Sequence, residues 1–155
     1  MATVLSDIAD LFLTRIDDYR ITTIYNTSGS TAVNTYLEPY LISAIVDFDI
    51  CTPTLVYTET SGSVEGFFDI DLTRENKVIL SQIMELYWME HTINEREQLS
   101  NFVSDKDFKA YSPAANLSAK REYRNALREE ISNILVKYSY GHNNWDSWRN
   151  QDFIP

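Results

Sequence analysis

The chain reads as a mainly α protein: a small helical bundle with one β-hairpin and an extended C-terminal tail. Three observations predict this. Apolar residues recur at helical spacing in several separate stretches. One short region between them alternates with a period of two. After Gly141 the helical pattern gives way to a polar, aromatic segment. The expected organisation is one domain over residues 1–140, with the hairpin at about 54–72, and an extension over 141–155.

The first helix is expected over residues 6 to about 18. Ser6 can cap it, Asp7 and Asp10 suit its positive end, and Leu5, Ile8, Leu11 or Phe12, and Ile16 form its stripe. Asp17 and Asp18 at its far end oppose the helix dipole and should stop it. Residues 20–25 are short and β-branched, which suggests a strand or an extended linker, and 26–31 form a polar loop. A second helix should occupy part of 32–48. Pro39 would begin its regular portion, and Leu41, Ile42, Ile45, Val46 and Phe48 would form its buried stripe.

The hairpin pairs residues 54–60 with 64–72 across Thr60-Ser61-Gly62-Ser63. In its second run Phe68, Ile70 and Leu72 alternate with Asp69 and Asp71. Thr73 then caps the main helix, with Leu72 stapled onto its first turns. From Val78 to Met89 this helix is apolar around much of its circumference. It should therefore be buried on more than one side, by its own fold or by a neighbouring subunit. A short separate helix is expected over 94–103, ended by the hinge Ser104-Asp105-Lys106-Asp107-Phe108-Lys109-Ala110-Tyr111-Ser112, with one or two further turns at 105–111. Pro113 interrupts. The last helix should open at Asn116 or Ser118 and run to about Tyr140, stopping at Gly141. Its core stripe is Tyr123, Leu127, Ile131, Ile134 or Leu135, and Tyr138.

Charge is distributed unevenly. The net charge of −10 comes almost wholly from residues 1–75, which carry 12 acids and 3 bases, whereas 76–155 carry 11 acids and 10 bases. Such acidity opposes ordinary nucleic-acid binding, which needs cations against phosphate. It is compatible with surrounding DNA without gripping it, and equally with acids that only keep the protein soluble. No apolar run approaches the roughly 20 residues of a membrane span. The N-terminus lacks a basic then apolar leader pattern, so no signal peptide is expected. The single Cys51 allows no intrachain disulfide and reads as a small buried hydrophobe.

No motif points to catalysis, a metal or a cofactor. The acid pairs Asp17/Asp18, Asp47/Asp49 and Asp69/Asp71 are the nearest approach to a hydrolase site, but Asp69 and Asp71 share a solvent face. His91 and His142 lack a second ligand at metal spacing, and His91 is expected to end a helix. The four glycines are scattered and build no phosphate loop. Lys120, Arg121, Arg124 and Arg128 give the last helix a basic face, interleaved with Glu122, Glu129 and Glu130. That interleaving fits an ordinary ion-paired helix or a subunit interface better than nucleic acid. The acidic half of a neighbouring copy is the natural counterpart in a head-to-tail ring. Trp88, on the over-apolar helix, is a second interface candidate. Trp145, Trp148, Arg149 and Phe153 in the tail are of the types that dominate binding hot spots, so partner docking is favoured over folding back.

Residues 67–140 resemble head–tail connector (adaptor) proteins of tailed bacteriophages. The resemblance rests on Phe68-Asp69-Ile70-Asp71-Leu72-Thr73 leading into Ile79-Leu80-Ser81-Gln82-Ile83-Met84-Glu85-Leu86-Tyr87-Trp88. It continues through Asp105-Lys106-Asp107-Phe108-Lys109-Ala110-Tyr111-Ser112 and Ala115-Asn116-Leu117 to Lys137-Tyr138-Ser139-Tyr140. It implies a structural virion protein, not an enzyme. About a dozen copies would form a ring beneath the portal protein, continue the DNA channel without specific DNA binding, and meet the next neck or tail protein. The implied location is the virion neck, with assembly in the host cytoplasm. By analogy Trp145, Trp148, Arg149 and Phe153 are portal-binding candidates, and Asp17, Asp18, Asp47 and Asp49 are channel-lining candidates. The competing reading is a small cytoplasmic helical protein-binding module or regulator. An acidic hydrolase, a third class, would need two carboxylates converging in a pocket.

Overall fold

A computed structural model describes residues 2–16, 18–49, 55–102 and 113–142, with side chains of 96–102, 113–116 and 142 excepted. The elements are α1 (Leu5–Leu13), α2 (Tyr19–Phe48), β1 (Tyr57–Thr58), β2 (Phe67–Phe68), α3 (Arg74–Phe102) and α4 (Pro113–His142). The mainly helical class with one small antiparallel hairpin is as the sequence predicts.

Helix α3 is the axis of the bundle, and α1, α2 and α4 all pack against it. Every residue from 79 to 86 is buried. An α-helix buries a full circumference only when neighbours cover it on several sides, which is what its all-round apolar pattern demanded. The cover comes from this chain itself. Leu5, Ile8 and Phe12 of α1, Leu37, Leu41 and Phe48 of α2, and Leu80, Ile83 and Met84 of α3 are wholly inaccessible. Phe12 meets Trp88 edge-on with ring centres 6.4 Å apart, and Phe48 joins α2 to Tyr138 of α4 at 5.2 Å.

Helix α1 ends at Leu13, short of the expected residue 18. Its last turn tightens, with Arg15 N–H donating to the Phe12 carbonyl at 3.0 Å and the Thr14 hydroxyl to the Leu11 carbonyl at 2.7 Å. Asp18 belongs to the next element. In an extended conformation, it accepts from Arg20 N–H at 2.9 Å and caps α2.

The expected strand at 20–25 and loop at 26–31 are helical. Thr22, Thr23, Thr27 and Thr35 each donate a hydroxyl to the carbonyl four residues back, so these β-branched residues are satisfied inside a helix. The helix kinks at Gly29, whose φ of 80° and ψ of −176° only glycine adopts readily. Pro39 lies within α2 and does not begin it. Val46, expected in the stripe, is 65% exposed; Val33, Leu37 and Ala44 take the buried side with Leu41 and Phe48.

The hairpin is shorter than expected, two residues per strand, in the register Tyr57↔Phe68 and Thr58↔Phe67. Gly62 sits at φ 60° in the turn, closed by paired 3.0 Å bonds between Ser61 and Val64. The N-terminal segment supplies a third edge. Phe68 N–H donates to the Thr3 carbonyl at 2.8 Å, Leu5 N–H to the Gly66 carbonyl at 2.8 Å, and Thr3 N–H to the Ile70 carbonyl at 3.2 Å. Ile70 is exposed, contrary to the predicted alternation, because the regular strand ends at Phe68 and the chain bends at 69–70. Beyond it, Leu72 N–H donates to the Thr3 hydroxyl at 2.8 Å.

Thr73 caps α3, accepting from Asn76 N–H at 3.2 Å. No separate helix starts at 94. Thr92 and Ile93 remain buried, nothing there breaks the chain, and α3 continues to Phe102. His91 therefore sits inside a helix, not at its end. Pro113, expected to interrupt, opens α4 as its first residue, where its missing N–H costs nothing. Gly141 lies within α4. Tyr123 leaves the predicted core stripe and is half exposed, while Leu127, Ile131 and Tyr138 remain buried. The hinge at 104–112, Cys51, and the side chain of His142 lie outside the described residues.

Candidate functional site

The polar groups inside the bundle converge on α3. Glu85 stands amid the apolar run, its side chain 3% exposed. Its Oε2 accepts from Arg15 Nε at 2.7 Å, just past α1, and its Oε1 accepts from the Tyr123 hydroxyl of α4 at 2.6 Å. One buried carboxylate thus ties three helices. The hydrogen bond to Glu85, reinforced by burial, pushes the Tyr123 hydroxyl up to about 12.

Other carboxylates act likewise. Buried Glu38 of α2 accepts from the Tyr57 hydroxyl at 2.8 Å and from Thr60 N–H at 2.7 Å, anchoring the hairpin, and burial pushes the Tyr57 hydroxyl up. Glu65 accepts from Ser6 N–H and from Asn34 Nδ2. The cap of α1 thus comes from the hairpin, where the sequence pointed to Ser6. Around α3's exposed side, Tyr40 meets His91 Nδ1 at 3.2 Å, and Glu95 pairs with Arg20.

Of the channel-lining candidates, Asp18 caps α2. Asp47 accepts from the Tyr87 hydroxyl at 2.8 Å, and Asp49 from Leu55 N–H at 2.9 Å. Burial and this bond push the Tyr87 hydroxyl up to about 12. Asp17 lies outside the described residues. The three described acids occupy the two ends of α2 and are not gathered in one cluster.

The basic interface candidates do share α4. Arg121 is exposed, and Lys120 and Arg124 are half-buried. Arg124 donates to Asn125 at 2.8 Å, and Arg128 pairs with Glu90 of α3. Trp88 is 6% exposed, its burial completed within the chain by Phe12 and its neighbours, so it is not presented to another copy. The portal-binding candidates Trp145, Trp148, Arg149 and Phe153 lie outside the described residues.

Between α3 and α4 runs an open groove of about 660 Å³. Leu86, Ile131, Leu135 and Val136 line it, with Asp47, Glu90 and Arg128 toward one end and Tyr140 at the other. A smaller, hydroxyl-rich cavity of about 450 Å³ lies between α1, the Gly29 kink and the hairpin turn. Among the described residues no group of three or more His, Cys, Asp or Glu side chains could hold a metal ion, and no helix is long and apolar enough to cross a membrane. The buried carboxylates face hydroxyl, amide and guanidinium donors, an arrangement that fixes helices relative to one another.

Sequence reasoning missed the Glu85 tie. Its signal was present: a lone acid inside an apolar helical run needs a buried donor, and Arg15 and Tyr123 are candidates on the flanking helices. No protein-family description, curated protein or solved structure matches the chain.

Proposed function

We propose that the chain is a structural subunit of a tailed-phage neck. Copies of it would form a ring that joins the portal protein to the next neck or tail component and continues the DNA channel. The observation that carries this reading is the segregation of charge on a cross-tied helical scaffold. Exposed acids sit on α1 and the hairpin (Asp7, Asp10, Glu59, Asp69, Asp71), whereas α4 carries five bases against three acids. A heterologous, head-to-tail contact uses two different faces of one subunit, and opposite charges on those faces would fix its register. The net negative charge would let DNA pass through the ring without being held.

The test is electron microscopy of the full chain mixed with the portal ring of the same phage. The expected result is a second ring on the portal, lost in Arg121→Glu/Arg124→Glu. Failure of the native chain to associate with the portal overturns the adaptor reading. Ring formation by the doubly reversed variant overturns the role of α4.

A further inference from the structure

The kink in α2 builds a polar cavity that the packing of the bundle does not require. In an unbroken helix, at about 100° per residue, Ser30 and Thr31 would stand about 140° and 120° around the axis from Tyr25. The turn at Gly29 removes that separation, and all three residues line the cavity of about 450 Å³ that faces α1 and the hairpin turn. Asp10 of α1 and Ser63 and Glu65 of the hairpin add to its polar wall. Glu65 is already engaged, accepting from Ser6 N–H and from Asn34 Nδ2, the latter at 3.1 Å. Asn34 is thereby held in the wall with a second N–H and its carbonyl oxygen available. The side chains of Asp10, Tyr25, Ser30, Thr31 and Ser63 make no hydrogen bond among the described residues. Leu13, Val33 and the ring of Tyr25, itself 59% exposed, give the cavity an apolar side.

This wall selects its ligand. It contains two carboxylates and no Lys, Arg or His, so it repels anions. A metal ion needs several converging acceptors, and no such group exists among the described residues. A sugar hydroxyl both donates and accepts. The wall answers with hydroxyls that do both, a carboxylate that accepts and an amide that donates. The C–H face of a pyranose is apolar and is stabilised against an aromatic or aliphatic surface. The volume lies within the range of about 300–1,000 Å³ usual for small-molecule sites.

We propose that the cavity between α1, the Gly29 kink and the hairpin turn binds a neutral saccharide. The apolar face of the sugar ring lies on Tyr25, and its hydroxyls meet Asp10, Asn34 and Ser63. The inference does not rest on the neck reading, and its test uses the full chain alone.

The nitrogen-15-labelled chain is titrated with glucose, galactose, mannose, N-acetylglucosamine, maltose and lactose, each to about 50 mM, well past a Kd of about 1 mM. Spermidine is titrated in parallel. At least one sugar is expected to shift the amide resonances of Ser30, Thr31 and Ser63 saturably. Tyr25→Ala and Asp10→Ala, both at exposed sites, are expected to leave the rest of the spectrum in place. Each should weaken binding about tenfold. Absence of saturable shifts with every sugar overturns the proposal, as does an affinity that neither variant changes. Shifts of the same amides by spermidine and by no sugar also overturn it, by assigning the cavity to an organic cation.

Discussion

Replacing Glu85 by Gln removes one charge and almost no volume from the centre of the bundle. The side chain is 3% exposed and accepts two short bonds, from Arg15 at 2.7 Å and Tyr123 at 2.6 Å. A hydrogen bond to a charged group contributes about 1.5–3 kcal/mol. Removing one member of a buried ion pair costs about 3–5 kcal/mol. Arg15 is 33% exposed and can turn to water, and Gln keeps one acceptor, so the cost falls below that range. Glu85→Gln is expected to destabilise by about 2 kcal/mol, and Tyr123→Phe by about 1 kcal/mol, its ring being half exposed. In the double variant the losses should sum to less than their total, because both remove the same bond. Urea denaturation with an unchanged slope measures this. A Glu85→Gln stability within about 0.5 kcal/mol of native, the range of ordinary surface substitutions, would refute the tie. The same bond has a pH signature. Tyr123 loses its proton at about 12 in the folded state, above the ordinary tyrosine value of about 10. The neutral hydroxyl is thus favoured by folding. This contribution is fully present below about pH 10 and is lost as pH rises through about 12. In Glu85→Gln the tyrosinate absorbance of this residue, obtained by difference from Tyr123→Phe, should appear at lower pH.

Gly66→Ala should destabilise by about 2–4 kcal/mol, from overpacking and a lost hydrogen bond to a carboxylate. A Cβ there would lie 2.0 Å from the Tyr57 hydroxyl and 2.7 Å from Glu38 Oε1, and Tyr57 is held against Phe68; native-like urea stability would contradict this. Asp18→Ala should cost about 1 kcal/mol and raise amide exchange in the first turn of α2, while unchanged exchange over 19–22 would remove Asp18 as the cap. Gly29→Ala should cost about 1–3 kcal/mol in thermal or urea unfolding, because the kink needs a backbone that alanine resists; a more stable variant would mean that α2 can straighten.

The helical class, the Thr73 cap and the hairpin turn were legible because each is written in local residue types. Val78 to Met89 announced burial on several sides, and α3 is buried on several sides. The first half of α2 was not legible. A run of threonines reads as strand until their hydroxyls are seen bonding carbonyls four residues back, and a Ser-Gly-Ser sequence reads as loop although it marks a kink. Asp18 reads as the end of α1 although it caps α2, because an acid at the end of one helix and one at the start of the next look alike in sequence. The ties at Glu85 and Glu38 join residues tens of positions apart, and no periodicity reports them. Tyr123 shows the cost: its spacing places it in the core stripe, yet it is half exposed and its hydroxyl reaches in to the buried Glu85 carboxylate on α3.

The third edge of the hairpin bears on the order in which the chain comes together during synthesis. Thr3, Val4 and Leu5 emerge from the ribosome long before Gly66, Phe67, Phe68 and Leu72, yet these are their partners. The first turn of α1 likewise waits for Glu65 to satisfy Ser6 N–H. A nascent α1 therefore has an open N-terminal end until Gly66 to Leu72 have followed it, and closing that loop carries an entropic cost paid late. The start of α1 is thus sealed only after the hairpin, and α1 and α2 gain their main packing surface only when α3 follows.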